Sequence, residues 1–442
     1  MKPPLKPEST NVLLRRYSGS LPKILGMSIG PTSRGKYLHW DKLRHYAPPA
    51  DLNHEEWWLG IKLARSSQAR EIPLNDAAGK PFRYVICDSV LEMLHHLDSK
   101  AKGSIELPEE VTNKETRDRY IVTSLIEEAI TSSQLEGAST TRQVASDMLR
   151  SGRHAHDKSE QMILNNYKAI KHIRGLKTTE LTPEIVLKLH KLLTSDTLDD
   201  PSAAGRLQQP HEARIRVTDN ATQKTLHSPP PAEQLPARLE QMCTFANGAA
   251  DGERFVHPVI RAIALHFWLA YDHPFLDGNG RTARSLFYWS MLHQGYWLFE
   301  YVSISKILKE APSKYGKSYL YTETDDNDLT YFLIYQLEVI LRAIESMEEY
   351  LRHKVEEINE VQNRIKTGST FNHRQLALLN HAIRHPGAEY TIRSHQESHT
   401  VAYATARSDL QDLEQNGLLI MHTLGRRKQV YRVPEDLNER LQ

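Results

Sequence analysis

The residues best equipped for chemistry stand together in one run, His273-Pro274-Phe275-Leu276-Asp277-Gly278-Asn279-Gly280-Arg281-Thr282-Ala283-Arg284. Gly278 and Gly280 open backbone conformations closed to other residues and let the chain approach a ligand closely. A helical pattern starts near Arg281, and the first amides of a helix are unpaired and favour anions. Arg281 and Arg284, three apart, share one face of that first turn. Two guanidiniums and a row of amides converging on one spot suit a di- or triphosphate. Asp277 is a hard oxygen donor suited to a magnesium ion bridging the phosphates. His273 is a base able to take a proton near neutral pH.

Other readings of this run fit less well. Asn279-Gly280 would suit a hairpin turn, but helical patterns flank it. Asp277-Gly278-Asn279-Gly280 has the look of a calcium loop, yet Tyr288 stands where the closing glutamate belongs. No Gly-Lys-Ser/Thr follows, so the run is not a nucleotide P-loop.

The elements that position this run are mostly helices. His257-Pro258 starts one that should continue through Trp268 to Tyr271, and the helix after the loop should end before Gly295. Upstream, Thr112-Asn113-Lys114-Glu115 matches a capping box for a helix running past Ile121, Leu125 and Ile130 to Leu135, with Gly137 as its stop. Further helices are expected over Ser159–Leu176, Thr182–Leu193 and Pro231–Ala246, and a pair of helical segments over Asp328–Lys354. Ala213–Thr218 alternates polar and apolar, Asp219-Asn220 offers a turn, and Lys224–His227 can pair back, which predicts a β-hairpin. Residues 1 to 111, with helical runs at Glu55–Arg70 and Asp88–Lys100, read as an N-terminal lobe without assigned chemistry.

The run 273–284 matches in full the pattern His-Pro-Phe-x-Asp/Glu-Gly-Asn-Gly-Arg-x-x-Arg, and the chain from about 112 to 350 resembles the Fic family. The resemblance implies a mainly α catalytic domain, here 112–365, with a β-hairpin flap. It implies transfer of AMP from ATP to a Ser, Thr or Tyr hydroxyl of a target protein, with release of pyrophosphate. His273 would be the base and Asp277 the Mg2+ ligand. Gly278, Asn279 and Gly280 would form the anion-binding turn, continued by Thr282 and Ala283, while Arg281 and Arg284 grip the outer phosphates. Related Doc-like kinases carry Lys at the position of Gly280 and bind ATP in reverse, so Gly280 favours AMP transfer. Tyr315 and Tyr319 fall where the family packs adenine, although tyrosines at helical spacing also suit a core. The hairpin, with Ile215, Arg216 and Val217, resembles the flap that aligns a target segment by strand addition; a plain surface hairpin is the alternative.

Ser132-Ser133-Gln134-Leu135-Glu136-Gly137 resembles the family's inhibitory pattern Ser/Thr-x-x-x-Glu-Gly/Asn, at the end of the helix over about 115–136. Ser132 and Glu136 face the same way on a helix. The resemblance implies that Glu136 pairs with Arg284 and keeps it from the γ-phosphate. It also leaves open the reverse reaction, AMP removal, with Glu136 orienting a water.

Lys366–Thr370 reads as a linker. Residues 371–442 resemble a winged helix-turn-helix domain, with Tyr403–Asn416 as its third helix. Tyr403, Thr405 and Arg407 on that helix, with Arg426 and Arg427 in the wing, would touch duplex DNA. Charge is nearly balanced there, so protein docking or homodimerisation is an equal reading. The whole chain of 442 residues has net charge +1, which argues against nucleic acid or anionic membrane acting on a global field. No apolar run suggests a signal peptide or membrane span. Cys87 and Cys243 read as reduced thiols, and a cytoplasmic protein is expected. Two function classes follow: an autoinhibited adenylyltransferase, or a DNA-binding regulator whose core senses nucleotide.

Overall fold

The computed structural model describes residues 3–49, 51–101, 114–218, 225–248, 255–364, 371–385, 387–424 and 428–441. It is mostly helical, with small two- and three-stranded sheets. The chain forms two compact units. One comprises Met1–Gly103, Glu128–Thr140 and Ala155–Ala343, and the other Ser104–Glu127, Thr141–His154 and Ile344–Gln442.

At the centre of the first unit, the helix Pro258–Asp272 packs on the helix Asn279–His293. We refer to them as the pre-loop and post-loop helices. Both are buried on nearly every side: the pre-loop helix is predominantly apolar, whereas the post-loop helix buries Asn279, Arg281 and Arg284 in its first turns and is apolar from Leu286 to Trp289. Pro258 occupies the first turn, where a missing amide costs nothing, and His257 Nδ1 accepts from the Val259 amide. Around this pair lie Lys158–Gly175, Pro183–Thr194 (capped by the Thr182 hydroxyl) and Leu235–Ala246. The helix Pro312–Thr324 carries Tyr315 and Tyr319.

The N-terminal residues share this unit. His54–Gln68 opens with a reciprocal capping box between Asn53 and Glu56. From it Lys62 reaches Asp325 (2.6 Å) and Arg65 reaches the Tyr331 hydroxyl (2.6 Å), both buried. A hairpin, Arg70–Asn75 with Pro81–Tyr84, follows and was not expected. Its signal lay in Asp76, whose side chain accepts from the amides of Ala78 and Lys80, and in Gly79 at φ 79°.

Two further expectations need revision, and one helix is added to them. The helix starting at Thr330 is one continuous element to Arg364 rather than a pair. A helix at Arg142–Ser151 also went unpredicted, although the Thr141 cap and Gly152 stop mark it. The hairpin after Ala213 is shorter at its open end than the alternation suggests: among the described residues, Val217–Thr218 alone pairs with Thr225–His227, with an irregular register. The reason is Arg214, whose guanidinium turns inward to the carbonyls of Pro230, Asp272 and His273 and draws its own segment off the ladder. Residues 219–224 lie outside the described residues, as do Thr112 and Asn113 of the proposed capping box.

In the second unit, helices His373–Arg384, Ile392–His399 and Tyr403–Gln415 accompany a three-stranded antiparallel sheet. In it Lys428–Arg432 lies between Glu389–Tyr390 and Ile420–Leu424. Asp409, buried, ties the helices together by accepting from Arg374 Nε (2.5 Å), Asn372 Nδ2 (2.8 Å) and His395 Nε2 (3.2 Å). Cys87 and Cys243 are buried and unpaired. No helix among the described residues is long and apolar enough to cross a membrane.

Candidate active site

The loop between the two central helices begins on a strained residue. His273 caps the pre-loop helix in the left-handed region (φ 46°, ψ 54°), which is uncommon for any residue but glycine. The surroundings over-determine it. Asp272 Oδ1 accepts from Arg238 Nε (2.8 Å) and Nη2 (2.6 Å), and its Oδ2 from Trp268 Nε1 (3.0 Å), all buried. Arg214 Nη2 donates to the carbonyls of Asp272 (2.7 Å) and His273 (3.2 Å).

The floor of the loop is equally fixed. Phe275 stacks on His190 with ring centroids 3.7 Å apart. His190 Nδ1 accepts from the Gly205 amide (3.0 Å), so Nε2 carries the proton and donates to the Asp277 carbonyl (2.9 Å). Burial holds that imidazole neutral, with its pKa lowered to about 4. Asn279 accepts from the Phe275 amide (3.0 Å) and donates to its carbonyl (2.8 Å). Its side chain therefore braces the loop, leaving only its backbone for the anion turn.

Gly278, at φ 83°, is the N-cap of the post-loop helix. A Cβ there would lie 2.7 Å from Thr194 Cγ2, so glycine is required twice over. Arg281 is buried; Nη1 donates to the Leu193 carbonyl (3.0 Å), and Nη2 lies 3.6 Å from Asp277 Oδ2. Among the described residues its Nε and Nη2 have no hydrogen-bond partner. Buried donors left open beside a helix N-terminus are what a bound anion would satisfy. Thr282 returns its hydroxyl to the Gly278 carbonyl (2.9 Å), and Ala283 is packed in the core. The Asp277 carboxylate is 54% exposed, with Oδ1 accepting from the Gly278 amide. One accessible carboxylate fits a magnesium ion that keeps waters and takes its other ligands from phosphate.

Arg284 is the point where a second element intervenes. Its Nε donates to Ser132 Oγ (2.9 Å), and its Nη2 to the Ser132 carbonyl (2.9 Å) and to Glu136 Oε1 (2.9 Å). Glu136 follows the end of the helix Lys114–Leu135. That end closes by amides of Gly137 and Ala138 donating to Gln134 and Ser133, with Gly137 at φ 94°. The Glu136 carboxylate also covers Gly280, where a Cβ would come within 2.1 Å of Oε1. Arg284, Ser132 and Glu136 thus meet at the turn that would hold phosphates.

A cavity of about 220 Å³ opens beside this turn, lined by Glu136, His273, Arg284, Tyr315, Tyr319 and Glu323 among others. His273 Nδ1 lies 3.4 Å from the Ala270 carbonyl, an acceptor, so Nδ1 holds the proton and Nε2 is the basic nitrogen. Burial, opposed by the Ala270 contact and helped by the charges of His227 and Arg214, lowers the His273 pKa to about 4. The Tyr315 hydroxyl bonds His266 Nε2 (2.7 Å) and the Tyr319 hydroxyl (3.1 Å), and Tyr319 stacks on Phe267. Both tyrosines are therefore wall and core at once. Val217 lines the cavity from the hairpin, while Ile215 and Arg216 are exposed and outside its ladder.

The sequence reading overlooked His190, Arg214, His227 and Glu323. Their neighbours in the chain carry no signal for them; each acquires its role from a partner far along the sequence. Of the residues proposed for DNA, Tyr403 (56% exposed) and Arg407 are exposed on the helix Tyr403–Gln415 and Thr405 is half-buried. Arg426 and Arg427 lie outside the described residues.

Comparison with known proteins agrees on one family. The Fic/DOC family pattern matches residues 180–291. The chain is 25% identical over 212 residues to a protein adenylyltransferase Fic of Nematostella vectensis, covering 46% of this chain and 45% of that protein. It is 28% identical over 130 residues to a protein of the same name from Drosophila ananassae, covering 29% of this chain and 23% of that protein. The matched region thus spans less than half the length of either relative. A crystal structure of a Fic family protein from Desulfovibrio desulfuricans G20 superposes with a TM-score of 0.50 at 17% identity, covering 79% of this chain and 97% of that one, which speaks to fold alone.

Proposed function

The chain carries a Fic domain, and from that premise we propose that it is an autoinhibited protein adenylyltransferase. The single observation that carries the proposal is the meeting of His273 and the Glu136-held Arg284 around one cavity, with the open donors of Arg281 buried in the same first turn of the post-loop helix. In this reading ATP lays its phosphates on the turn 278–280, against Arg281 and Arg284. His273 Nε2 takes the proton of a Ser, Thr or Tyr hydroxyl on a target protein. That oxygen bonds to the α-phosphorus, and the bond from the α-phosphorus to the bridging oxygen of pyrophosphate breaks. Asp277 would hold a magnesium ion, which when bound neutralises phosphate charge. Positioning and charge neutralisation dominate such transfers, and the buried guanidiniums supply both. In this reading Glu136 holds Arg284 away from the γ-phosphate, and the same carboxylate would orient a water if AMP removal also occurs. Tyr315 and Tyr319 wall the adenine site, and the hairpin at Val217 receives the target segment. Two buried free thiols fit a reducing, cytoplasmic setting.

A second activity is proposed for the C-terminal residues 371–442, as a winged helix. The exposed Tyr403 and Arg407 at the start of a helix support duplex DNA as a partner, with homodimerisation as the equal alternative. A salt-dependent shift of duplex DNA by the whole chain, lost in Arg407→Ala, tests that role.

The transferase reading is tested by offering the Glu136→Gly protein ATP labelled at either the α- or the γ-phosphorus, with magnesium and a heat-treated cell extract, whose own kinases are inactive, as target source. Protein that takes up the α-label alone is the expected result. Uptake of the γ-label would make the chain a kinase, and uptake of neither would remove the transferase reading.

A further inference from the structure

Both arms of the hairpin are fastened to the last turn before His273 by cationic side chains. Arg214, ahead of the first strand, donates to the carbonyls of Asp272 and His273. His227, the last residue of the second strand, donates from Nε2 to the Tyr271 carbonyl (2.7 Å). Carbonyls at a helix C-terminus lack intrahelical partners, and positive charge is favoured there. The other nitrogen of His227, Nδ1, lies 2.7 Å from Glu323 Oε2 in the cavity wall. A carbonyl and a carboxylate both accept, so a ring flanked by the two is an imidazolium with a proton on each nitrogen.

We propose that His227, held as an imidazolium, is a positioning residue: it locks the target-aligning strand to the turn carrying His273 and to Glu323. The consequence for catalysis rests on the transferase reading, whereas the clamp itself rests on these contacts. From the helix Pro312–Thr324, the group facing His227 is Glu323. From the pre-loop helix, the Tyr271 ring lies at 4.7 Å, with Asp272 and His273 beyond it, and Asp272 is held by Arg238. Arg214 is the other cation of the hairpin at this helix end. Burial alone would lower the His227 pKa, but the bond to Glu323 and its charge outweigh burial and raise it above the ordinary 6.5. A raised folded pKa means that the clamp is complete below about 6.5 and weakens as pH rises through the raised value. His273, lowered to about 4, is neutral throughout that interval, so its titration does not contribute to any alkaline loss of rate.

The test follows the ring nitrogens of histidine-labelled full-length protein by NMR from pH 5 to 9. The His227 ring should carry both protons at pH 6.5 and release one at higher pH, and Glu323→Gln should move that midpoint down. Protection of the amides of the paired residues Val217, Thr218, Thr225 and His227 against hydrogen exchange, corrected for the intrinsic pH dependence, should fall about tenfold over the same interval. His227→Gln should be poorly protected at every pH. The rate of self-labelling by α-labelled ATP in Glu136→Gly should fall with the His227 titration and shift with Glu323→Gln. A single ring proton at pH 6.5, or amide protection indifferent to the titration, would overturn the clamp. Labelling that ignores the titration would overturn its positioning role. Absence of labelling, with the ring and amide results intact, would count against the transferase reading alone.

Discussion

Arg284 is where two incompatible uses of one side chain meet. It is buried, and its hydrogen bonds to Ser132 and Glu136 tie it to the segment proposed as inhibitory. A charge-assisted hydrogen bond contributes roughly 1.5–3 kcal/mol, and the phosphate that replaces the carboxylate must compete with it. Arg284→Ala should therefore weaken ATP about tenfold or more, measured by calorimetry, while also freeing Glu136. Unchanged affinity would mean that this guanidinium never meets the nucleotide. The run from His273 to Arg284 was legible because its chemistry is contiguous and helix periodicity places its members. Glu136 was legible from a short pattern at a helix end. His190, Arg214 and His227 were not, because hydrogen bonds to backbone carbonyls of residues 271–277 leave no trace in the sequence around them.

At the scale of elements, the helix Lys114–Leu135 must be held rigid if Glu136 is to act as the proposed brake. Glu128, Ser132 and Glu136 are four apart and share a face. Glu128 is fully buried and accepts from the hydroxyl of Ser303 (2.8 Å) and from the amide (3.0 Å) and hydroxyl (2.5 Å) of Ser305, at the start of the helix Ile304–Glu310. The carboxylate thus caps one helix and anchors another. Glu128→Ala should cost about 1–3 kcal/mol in thermal unfolding, because buried donors lose their acceptor, and should loosen the brake so that basal labelling rises. Stability lost without any rise in labelling would mean that the anchor and the brake are separate. Gly278→Ala tests the loop: a Cβ at φ 83° and 2.7 Å from Thr194 Cγ2 should cost about 1–3 kcal/mol by the same assay. Helices were the readable elements, through their caps and apolar spacing. The hairpin at 217–227 was read too long because alternation in the sequence cannot show that Arg214 is drawn inward to the carbonyls of Asp272 and His273.

Across the whole molecule, two compact units need not unfold together. Asp409 gives the second its own response to acid. Burial would raise its pKa, but hydrogen bonds from His395, Arg374 and Asn372 outweigh burial and hold it well below the usual carboxylate range. With a depressed folded pKa, the stabilisation is complete above about pH 3.9 and is lost as pH falls through the folded value. Hydrogen exchange in the helices His373–Arg384, Ile392–His399 and Tyr403–Gln415 should therefore accelerate on acidification below pH 4, and Asp409→Asn should be fast already at neutral pH. For the whole chain, the most direct measurement is mass spectrometric quantification of AMP on protein after incubation with ATP and magnesium, in wild type, Glu136→Gly and Glu136→Gly/His273→Ala. Releasing Arg284 returns a contact of roughly 1.5–3 kcal/mol to ATP, so the single variant should label about ten- to a hundredfold faster. Loss of the base should then remove ~10²–10⁴-fold. A Glu136→Gly protein that labels no faster than wild type, or a double variant that labels as fast as the single one, would contradict the account.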